Sequence, residues 1–385
     1  MRRRGLPDPP RRRPQGSRPA LLHHRHQDPP GAGLRAGDLL RTGARGHRRL
    51  VPRQPRLVEG RQAPAGRRRV NVVVLGASGF LGRHVCHALR EAGEQVVAVP
   101  GRGPGGLDLL TAGSERIAAL VTEAGADAVV NAAGRAWNAD EREMHAGNAE
   151  LPAVVAHALA LTPRPPRTVQ LGSVHEYGAG TAGASTHESS EPQPVTPYGR
   201  TKLLGTLAVL DASRAGGPPA VVLRIANVCG PGTHPGSLLG SVAARLVGPV
   251  RDRPLSSGPA ELRLPALRAW RDFVDVRDVA DAVVRAVRAD AGDVVGEVIN
   301  IGSGTAVHTR ELVHRLVALS ELPVRIVEET PSGGHARSDT EWLQLDVARA
   351  ANVLGWEPRR SLDQSLRDLL AAVSPPISTP GRNRR

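Results

Sequence analysis

Apolar runs and helical periodicities alternate along most of the chain. Residues 70–75 form a continuous apolar run, which is typical of a strand buried on both faces of a sheet. Residues 80–92 carry apolar side chains at helical spacing and stop at Gly93. The same patterns predict strands at 95–99, 127–131, 167–171 and 220–225 and helices at 115–123, 141–161 and 198–214. This alternation predicts an α/β fold with a doubly wound parallel sheet.

The alternation becomes looser after about residue 230. Further elements are predicted as helices at 238–246, 276–288, 309–319 and 361–373, with a strand at 297–301. We therefore expect a sheet domain at 70–230 and a smaller C-terminal α/β lobe, mainly 231–373, laid over the carboxyl edge of the sheet. Some segments of this lobe are expected to return to the sheet.

The two ends of the chain differ in composition from the rest. Residues 1–69 contain 19 Arg and four acidic residues among many Pro and Gly, whereas 70–385 contain 32 basic and 33 acidic residues. Such ends cannot bury enough apolar surface to offset the entropy of ordering, so we expect 1–69 and 374–385 to be disordered. The first segment is either a basic arm or an untranslated stretch before a start at Val70, which an alternative start codon can encode. We favour the second interpretation.

Composition also argues against several classes of protein. The near-neutral charge of 70–385 and the lack of a DNA-binding motif argue against a nucleic-acid partner. No run of 18 apolar residues occurs, which argues against a membrane-spanning helix. The two cysteines, Cys86 and Cys229, cannot form a disulfide framework or a structural zinc site, and no other cluster has metal-ligand spacing. We expect a cytoplasmic protein without a metal.

A glycine-rich segment, Gly76-Ala-Ser-Gly-Phe-Leu-Gly82, follows the first strand and opens the first helix. Glycines there allow a tight turn, and backbone N–H groups at a helix N-terminus bind a pyrophosphate. This placement predicts a Rossmann dinucleotide site whose loop comprises Gly76, Ser78, Gly79, Phe80, Leu81 and Gly82. After the second strand, Arg102 stands where an acidic partner for the ribose 2′-hydroxyl is usual. An arginine suits a 2′-phosphate, so NADP(H) is favoured over NAD(H).

The single lysine of the chain points to proton chemistry. Lys202 follows Tyr198, one of only two tyrosines, by four residues, which puts both on one face of a helix. A nearby ammonium lowers the pKa of a phenol, so Tyr198 could exchange a proton near neutral pH. Ser173 ends the preceding strand, and its hydroxyl can hold a substrate carbonyl oxygen. We predict that Ser173, Tyr198 and Lys202 are the catalytic residues.

Together with other motifs in the same order, these segments resemble the extended short-chain dehydrogenases/reductases over about 70–372. The resemblance is to the NAD-dependent epimerase/dehydratase branch, which acts on nucleotide sugars. The additional motifs are Asp108-Leu109, Asn131-Ala-Ala-Gly134, Gly172-Ser-Val-His-Glu-Tyr-Gly178, the segments at 223–232 and 271–278, Asn300-Ile-Gly-Ser-Gly304 and Leu354-Gly-Trp-Glu-Pro358.

The resemblance implies further site residues and partners. It places Asp108 and Leu109 at the adenine, and Ala132, Ala133 and Gly134 along the dinucleotide, with Tyr198 and Lys202 also at the nicotinamide ribose. It places His175, Asn227, Arg271 and Arg337 at the substrate. It also implies a small-molecule nucleotide-sugar substrate, a homodimer and a C-terminal lobe that binds the substrate.

Departures from the family pattern narrow the expected reaction. The 4,6-dehydratases of the family carry Asp-Glu directly after the catalytic hydroxyl residue, where this chain has Val174 and His175. Valine cannot donate a proton, which disfavours dehydration. The stretch at 271–279 resembles that of GDP-4-keto-6-deoxymannose reductases. We therefore expect NAD(P)-dependent reduction of the C4 ketone of a nucleotide-linked deoxysugar.

Two other functions stay open at this point. A nucleotide-sugar 4-epimerase needs the same residues and a roomier pocket. A non-catalytic NADP-sensing regulator needs only the glycine loop, and the complete Ser173, Tyr198 and Lys202 set argues against it. His175 is either a third acid/base or a strand-end histidine bonded to the loop, and we favour the second.

Overall fold

Six parallel strands form the main sheet. They are β1 (Asn71–Leu75), β2 (Gln95–Val99), β3 (Ala128–Asn131), β4 (Arg167–Ser173), β5 (Ala220–Ile225) and β9 (Val298–Ile301). Their order across the sheet is β2-β1-β3-β4-β5-β9, and every neighbouring pair is parallel. The computed structural model describes residues 68–101, 106–252, 258–329 and 342–373. The predicted α/β doubly wound sheet is confirmed.

Helices cover both faces of this sheet, and each face has its own core. One face packs against α1 (Phe80–Glu91) and α7 (Val276–Arg288), and the other against α2 (Leu109–Glu123), α4 (Leu151–Ala160) and α5 (Pro197–Arg214). In β1, Val72 and Val74 belong to the first core, whereas Val73 and Leu75 belong to the second. Successive strand residues point to opposite faces, so a strand covered on both sides must be apolar throughout.

The remaining elements lie outside the six-stranded sheet. They are α3 (Glu141–His145), β6 (Asn227–Cys229), α6 (Leu238–Arg245), β7 (Ala260–Pro265), β8 (Trp270–Asp275), α8 (Ala291–Val294), β10 (Ala306–His308), α9 (Thr309–Leu319), β11 (Val324–Glu329), β12 (Trp342–Leu343), α10 (Ala348–Leu354) and α11 (Leu362–Val373). Strand β8 pairs with β6, β10 and β12, and β7 pairs with β11. Helices α6, α9 and α11 share a separate core, whereas α10 packs against β9 and α7, and α3 packs against α5. The domain boundary near residue 230 stays a prediction.

Two helices differ from the sequence prediction. The helix expected at 141–161 is divided into α3, a wider π-helical turn at Ala146–Glu150, and α4. Helix α2 begins at Leu109, six residues before the expected start. Gly113 interrupts its first part with a φ of 72° and a ψ of 173°. Non-helical backbone at Gly113 breaks the local periodicity, so the first turn could not be recognised from the pattern.

No helix in the described ranges is both long enough and apolar enough to cross a membrane.

Candidate active site

The turn after β1 brings backbone atoms into close contact at the start of α1. Gly76 has a φ of +75°, and a Cβ atom on it would lie 2.8 Å from the backbone of Ala133. A Cβ atom on Gly82 would lie 2.1 Å from the Gly76 carbonyl oxygen. Only glycine fits at these two positions. The loop therefore keeps bare backbone at the N-terminus of α1, where a phosphate group can bind.

A cavity of about 650 Å³ opens beside this loop. Eight of the predicted cofactor residues line it, namely Gly76, Ser78, Gly79, Asp108, Leu109, Ala132, Ala133 and Gly134. Phe80, Leu81 and Gly82 lie in the first turn of α1 instead, and Arg102 lies outside the described residues. The cavity lies at the carboxyl ends of β1 and β3. The strand order reverses between these two strands, and ligands of open α/β sheets bind at such a point. Its size and its glycine cradle fit a dinucleotide.

A second cavity, of about 750 Å³, lies between α1, α7 and the segment after α10. None of the predicted cofactor residues lines it, and the predicted catalytic residues line neither cavity. We therefore take the cavity beside the glycine loop as the cofactor site, because it lies at the sheet edge that carries Ser173. No group of three or more His, Cys, Asp or Glu side chains within the described ranges is placed to hold a metal ion.

Asn148 is a buried polar residue at this site that the sequence analysis missed. Its side chain accepts a hydrogen bond from the Arg135 N–H (2.8 Å) and donates to the Arg135 carbonyl oxygen (2.7 Å). It also donates to the Thr201 hydroxyl on α5 (3.2 Å). Asn148 thus fixes the loop after β3 to the helix that carries Tyr198. Asn148 lies in the π-helical turn, so the backbone departs from α-helical geometry at the residue whose side chain makes these hydrogen bonds.

The structure brings the three predicted catalytic residues together at the carboxyl end of β4. Ser173 ends the strand, and its side-chain oxygen accepts a hydrogen bond from the His175 N–H at 3.3 Å. The Ser173 side chain lies near enough to the Tyr198 hydroxyl to lower the pKa of that phenol. Lys202 follows Tyr198 by one turn of α5, and its Nζ donates to the Leu171 carbonyl oxygen in β4.

Burial controls the proton affinity of both α5 groups. Removal from water raises the pKa of Tyr198; the nearby Ser173 side chain opposes this rise, and the Glu176 carboxylate adds to it. Burial also lowers the pKa of Lys202, against the opposite effect of Glu176. The expectation that Lys202 lowers the pKa of Tyr198 is not met, because burial outweighs the other influences. A protonated Tyr198 is a proton donor rather than a base.

Glu176 is the second site residue that the sequence analysis missed. Its side chain is fully buried, and one oxygen accepts hydrogen bonds from the Ser173 N–H (2.8 Å) and the Thr206 hydroxyl (3.1 Å). The other oxygen pairs with the Arg224 Nε at 2.8 Å. The Arg224 guanidinium lies over the Tyr177 ring, 4.4 Å from its centre. The spacing Ser173-x-x-Glu176 is that of a capping box, which is a local signal that could have identified this residue.

Three of the predicted substrate residues lie on separate elements, with Asn227 and Arg271 at the starts of the paired strands β6 and β8. The His175 ring meets the Tyr198 ring edge to face, with centres 5.7 Å apart. Asn227 on β6 donates to the Asp272 carbonyl oxygen at 3.2 Å. Arg271 is buried on the paired strand β8 and donates to the Trp270 carbonyl oxygen at 2.9 Å. Arg337 lies outside the described residues.

Hydride transfer from a nicotinamide requires a dinucleotide site and a proton-donating side chain at the same edge of a sheet, and the described residues have this arrangement. The molecule is an NAD(P)-dependent enzyme of the extended short-chain dehydrogenase/reductase class. A profile of the NAD dependent epimerase/dehydratase family matches residues 72–302, and the chain belongs to this family.

Relatives with known activities share this architecture. The chain is 39% identical over 312 residues to a dTDP-6-deoxy-L-talose 4-dehydrogenase (NAD(P)(+)) of Kitasatospora kifunensis, covering 79% of this chain and 95% of the relative. It is 27% identical to a UDP-glucose 4-epimerase of Azospirillum brasilense, covering 78% and 91%. Among solved structures, RMD from Pseudomonas aeruginosa complexed with NADPH superposes with a TM-score of 0.67 at 25% identity, covering 79% of this chain and 99% of that one.

Proposed function

We propose that this protein reduces the C4 ketone of a nucleotide-linked 6-deoxyhexose with a reduced nicotinamide cofactor, and catalyses the reverse oxidation. The observation that carries the proposal is the placement of Tyr198 and Lys202 on α5 against the end of β4 that carries Ser173, next to a buried Val174 in the position where dehydratases need an acid. The dTDP-6-deoxy-L-talose 4-dehydrogenase supports the same chemistry, because the reverse of a C4 dehydrogenation is a C4 ketone reduction.

The residues have distinct parts in this reaction. When bound, a reduced nicotinamide supplies a hydride, which delivers two electrons to the carbonyl carbon. The Ser173 hydroxyl donates a hydrogen bond to the carbonyl oxygen and orients it. Tyr198 gives its proton to that oxygen, which completes the alcohol. The Lys202 ammonium stabilises the phenolate that forms, and the phenolate regains a proton from water.

The reaction can be tested with nucleotide sugars of two kinds. The protein is mixed with dTDP- or GDP-4-keto-6-deoxyhexose, and the absorbance of the reduced nicotinamide is followed with NADPH and NADH in parallel. Stoichiometric oxidation of the cofactor is the expected result. Interconversion of C4 epimers without net oxidation would make the protein a 4-epimerase, as in the Azospirillum relative. Cofactor binding with no turnover of either kind would favour the NADP-sensing regulator.

We propose NADP(H) as the preferred cofactor. Arg102 directly follows Gly101, and the Gly101 N–H donates to the Ser78 hydroxyl of the glycine loop at 3.4 Å. Gly101 therefore lies beside the glycine loop. In this class of site, the residues that follow the second strand contact the ribose 2′-phosphate. Replacing Arg102→Ala should raise the KM for NADPH about tenfold, the loss of one charge-assisted contact, and leave the KM for NADH unchanged. Equal effects on both cofactors would contradict the preference.

We also propose that the protein is a homodimer and acts in the cytoplasm. Leu204 and Leu207 are exposed on α5, at 49% and 41% of their surface, three residues apart on one face. Sedimentation velocity should give twice the mass of the chain, and Leu204→Glu should shift the protein towards the monomer.

Cys86 and Cys229 are both free and buried, which supports a reducing compartment.

A further inference from the structure

The backbone of Arg135 is fixed by two neighbouring residues of the π-helical turn. The buried Asn148 side chain accepts a hydrogen bond from the Arg135 N–H (2.8 Å) and donates to the Arg135 carbonyl oxygen (2.7 Å). The stem of the arginine lies against Gly147, since a Cβ atom on this glycine would come within 2.8 Å of the Arg135 Cγ. A side chain at position 147 would displace this stem. Gly147 and Asn148 together therefore set the direction in which Arg135 points.

The side chain that they direct lines the cofactor cavity without a partner. Arg135 is exposed in the loop after β3, and within the described ranges no hydrogen bond or ion pair engages its guanidinium group. Arg142 on α3 lines the same cavity. The carboxylates of the cavity are already engaged, since Asp108, Asp140 and Glu143 accept hydrogen bonds from backbone N–H groups at the starts of α2 and α3. The Arg135 charge is therefore available to an anion.

The position of Arg135 selects the part of a dinucleotide that it meets. Gly76 of the glycine loop lies against the backbone of Ala133, to which a Cβ atom on Gly76 would approach within 2.8 Å. Arg135 is two residues further on, and two residues of chain span at most about 7 Å, so its long side chain can reach a phosphate at the start of α1. Strand β2, which leads to Arg102, lies on the other side of β1 from β3. Arg135 is thus placed for the pyrophosphate and not for a ribose 2′-phosphate.

We propose that Arg135 binds the pyrophosphate of the cofactor and that Gly147 and Asn148 position it for this contact. The inference rests on the cofactor part of the proposed function and not on its substrate. A helix N-terminus offers only about half a positive charge, whereas each phosphate of the pyrophosphate is negative. The three carboxylates of the cavity add to the repulsion. The Arg135 guanidinium supplies a full positive charge and can donate to two phosphate oxygens at once.

Binding measurements without turnover test the proposal. NADPH, NADH and ADP-ribose are each titrated into the full chain by isothermal calorimetry, with adenosine as a ligand that has no phosphate. Arg135→Met keeps the stem and removes the charge, so the three pyrophosphates should bind about tenfold more weakly, the loss of one charge-assisted contact. Adenosine should bind both proteins equally. A loss confined to NADPH, a loss that includes adenosine, or unchanged binding of all the ligands would each overturn the proposal.

Arg214→Met is the matched control for the loss of one positive charge. Arg214 is an exposed arginine at the end of α5, paired with Asp211 at 2.9 Å, and it does not line the cofactor cavity. This variant should bind all the ligands as the wild type does. A tenfold loss here as well would show that net charge rather than a contact governs binding, and would overturn the role of Arg135.

The positioning role of Gly147 is tested by a pair of variants. In Gly147→Ala, the added methyl group displaces the Arg135 stem, so the affinity for ADP-ribose should fall severalfold. Arg135→Ala has no Cγ to displace, so adding Gly147→Ala to it should cause no further loss. Additive losses in the double variant would show that Gly147 acts on the site by another route, and would overturn its positioning role.

The outcomes separate this inference from the proposed reaction. If the wild type reduces a 4-keto sugar but Arg135→Met binds every ligand normally, the reaction stands and the inference is overturned. If binding of NADPH, NADH and ADP-ribose depends on Arg135 but no 4-keto sugar is turned over, the inference is supported and the proposed reaction is overturned.

Discussion

Tyr198 carries the proton on which the proposed reaction depends, and the nearby Ser173 side chain lowers the pKa of its phenol against the larger effect of burial. Replacing Tyr198→Phe removes this proton and leaves the ring in place against His175. We expect turnover to fall about 10²- to 10⁴-fold, the usual contribution of a positioned acid or base. Nicotinamide fluorescence should show that the variant still binds the cofactor.

The matched control for this variant is Tyr177→Phe, since Tyr177 is the other tyrosine of the chain. It loses a buried hydrogen bond from its hydroxyl to Asn300 (2.8 Å) and should destabilise the protein by about 1 kcal/mol without changing the chemistry. Full turnover in Tyr198→Phe, or equal losses in both variants, would contradict the proposed mechanism.

At the scale of an element, the glycine turn before α1 depends on the absence of side chains. Gly82→Ala places a methyl group 2.1 Å from the Gly76 carbonyl oxygen, so the loop must move away from α1. We expect cofactor affinity to fall at least tenfold, because the backbone N–H groups no longer converge on a phosphate. Isothermal titration with NADPH measures the change.

Gly292→Ala is the control for this glycine. Gly292 lies in α8, and a Cβ atom on it would meet no atom within 4 Å. This variant should bind the cofactor as the wild type does. Equal affinities for all three proteins would show that the close approach at Gly82 is not needed for binding.

The start of α7 is a second element with a testable role. Asp275 caps the helix by accepting from the Arg277 N–H and pairs with the Arg277 side chain, and it accepts a 2.6 Å hydrogen bond from Ser365 on α11. Burial raises the pKa of Asp275, but the hydrogen bonds from Arg277 and Ser365 outweigh it and hold the pKa below its ordinary value. The carboxylate form therefore stabilises the folded state.

The sign of this linkage gives a pH prediction. A carboxyl group with a lowered pKa in the folded state stabilises the protein above its unfolded pKa, about 3.9, and loses this contribution as the pH falls further. Asp275→Asn should lower the free energy of unfolding by about 1–3 kcal/mol at pH 7, and the difference should shrink below about pH 4. Urea unfolding at both pH values measures it. Asp281→Asn, at a more exposed position on the same helix, should change stability by less than about 0.5 kcal/mol.

The sequence predicts those elements whose signals are local. Helix α7 has the predicted bounds because Asp275 caps its start and its apolar periodicity is regular. The three-residue strand β6 was not predicted, because its pairing with β8 joins positions more than forty residues apart. The interruption of the helix at 141–161 was missed for the same reason, since Asn148 contacts Thr201, 53 residues further along the chain.

The same distinction between local signals and long-range contacts applies to the candidate site. Ser173, Tyr198 and Lys202 were predicted because their spacing fits a strand end followed by a helix. The pKa of Tyr198 was predicted with the wrong sign, because the burial of a phenol depends on the whole fold rather than on its nearest charged neighbour in sequence. The catalytic roles of Ser173, Tyr198 and Lys202 stay predictions, as do the substrate-binding roles of His175, Asn227, Arg271 and Arg337.

At the scale of the whole molecule, the charge of the chain is divided between two regions. The excess of positive charge lies in residues 1–69, whereas 70–385 are nearly neutral. A protein that begins at Arg68 should keep the kcat and KM of the full chain, because the cavity and the Ser173, Tyr198 and Lys202 set lie entirely beyond that residue. It should also elute from a cation-exchange column at much lower salt. Loss of turnover on truncation would show that the basic segment contributes to the site.

The sixth strand of the sheet has a consequence for biosynthesis. Strand β5 ends at Ile225, but its outer partner β9 begins only at Val298, so about 70 residues must be translated between them. At a synthesis rate of about 5–20 residues per second, the outer edge of β5 stays without its partner strand for on the order of 4–15 s. During this interval the nascent chain exposes an unpaired edge that can join another strand. Chaperone supply and elongation rate over these codons should therefore limit the soluble yield of this protein more than the stability of its finished fold.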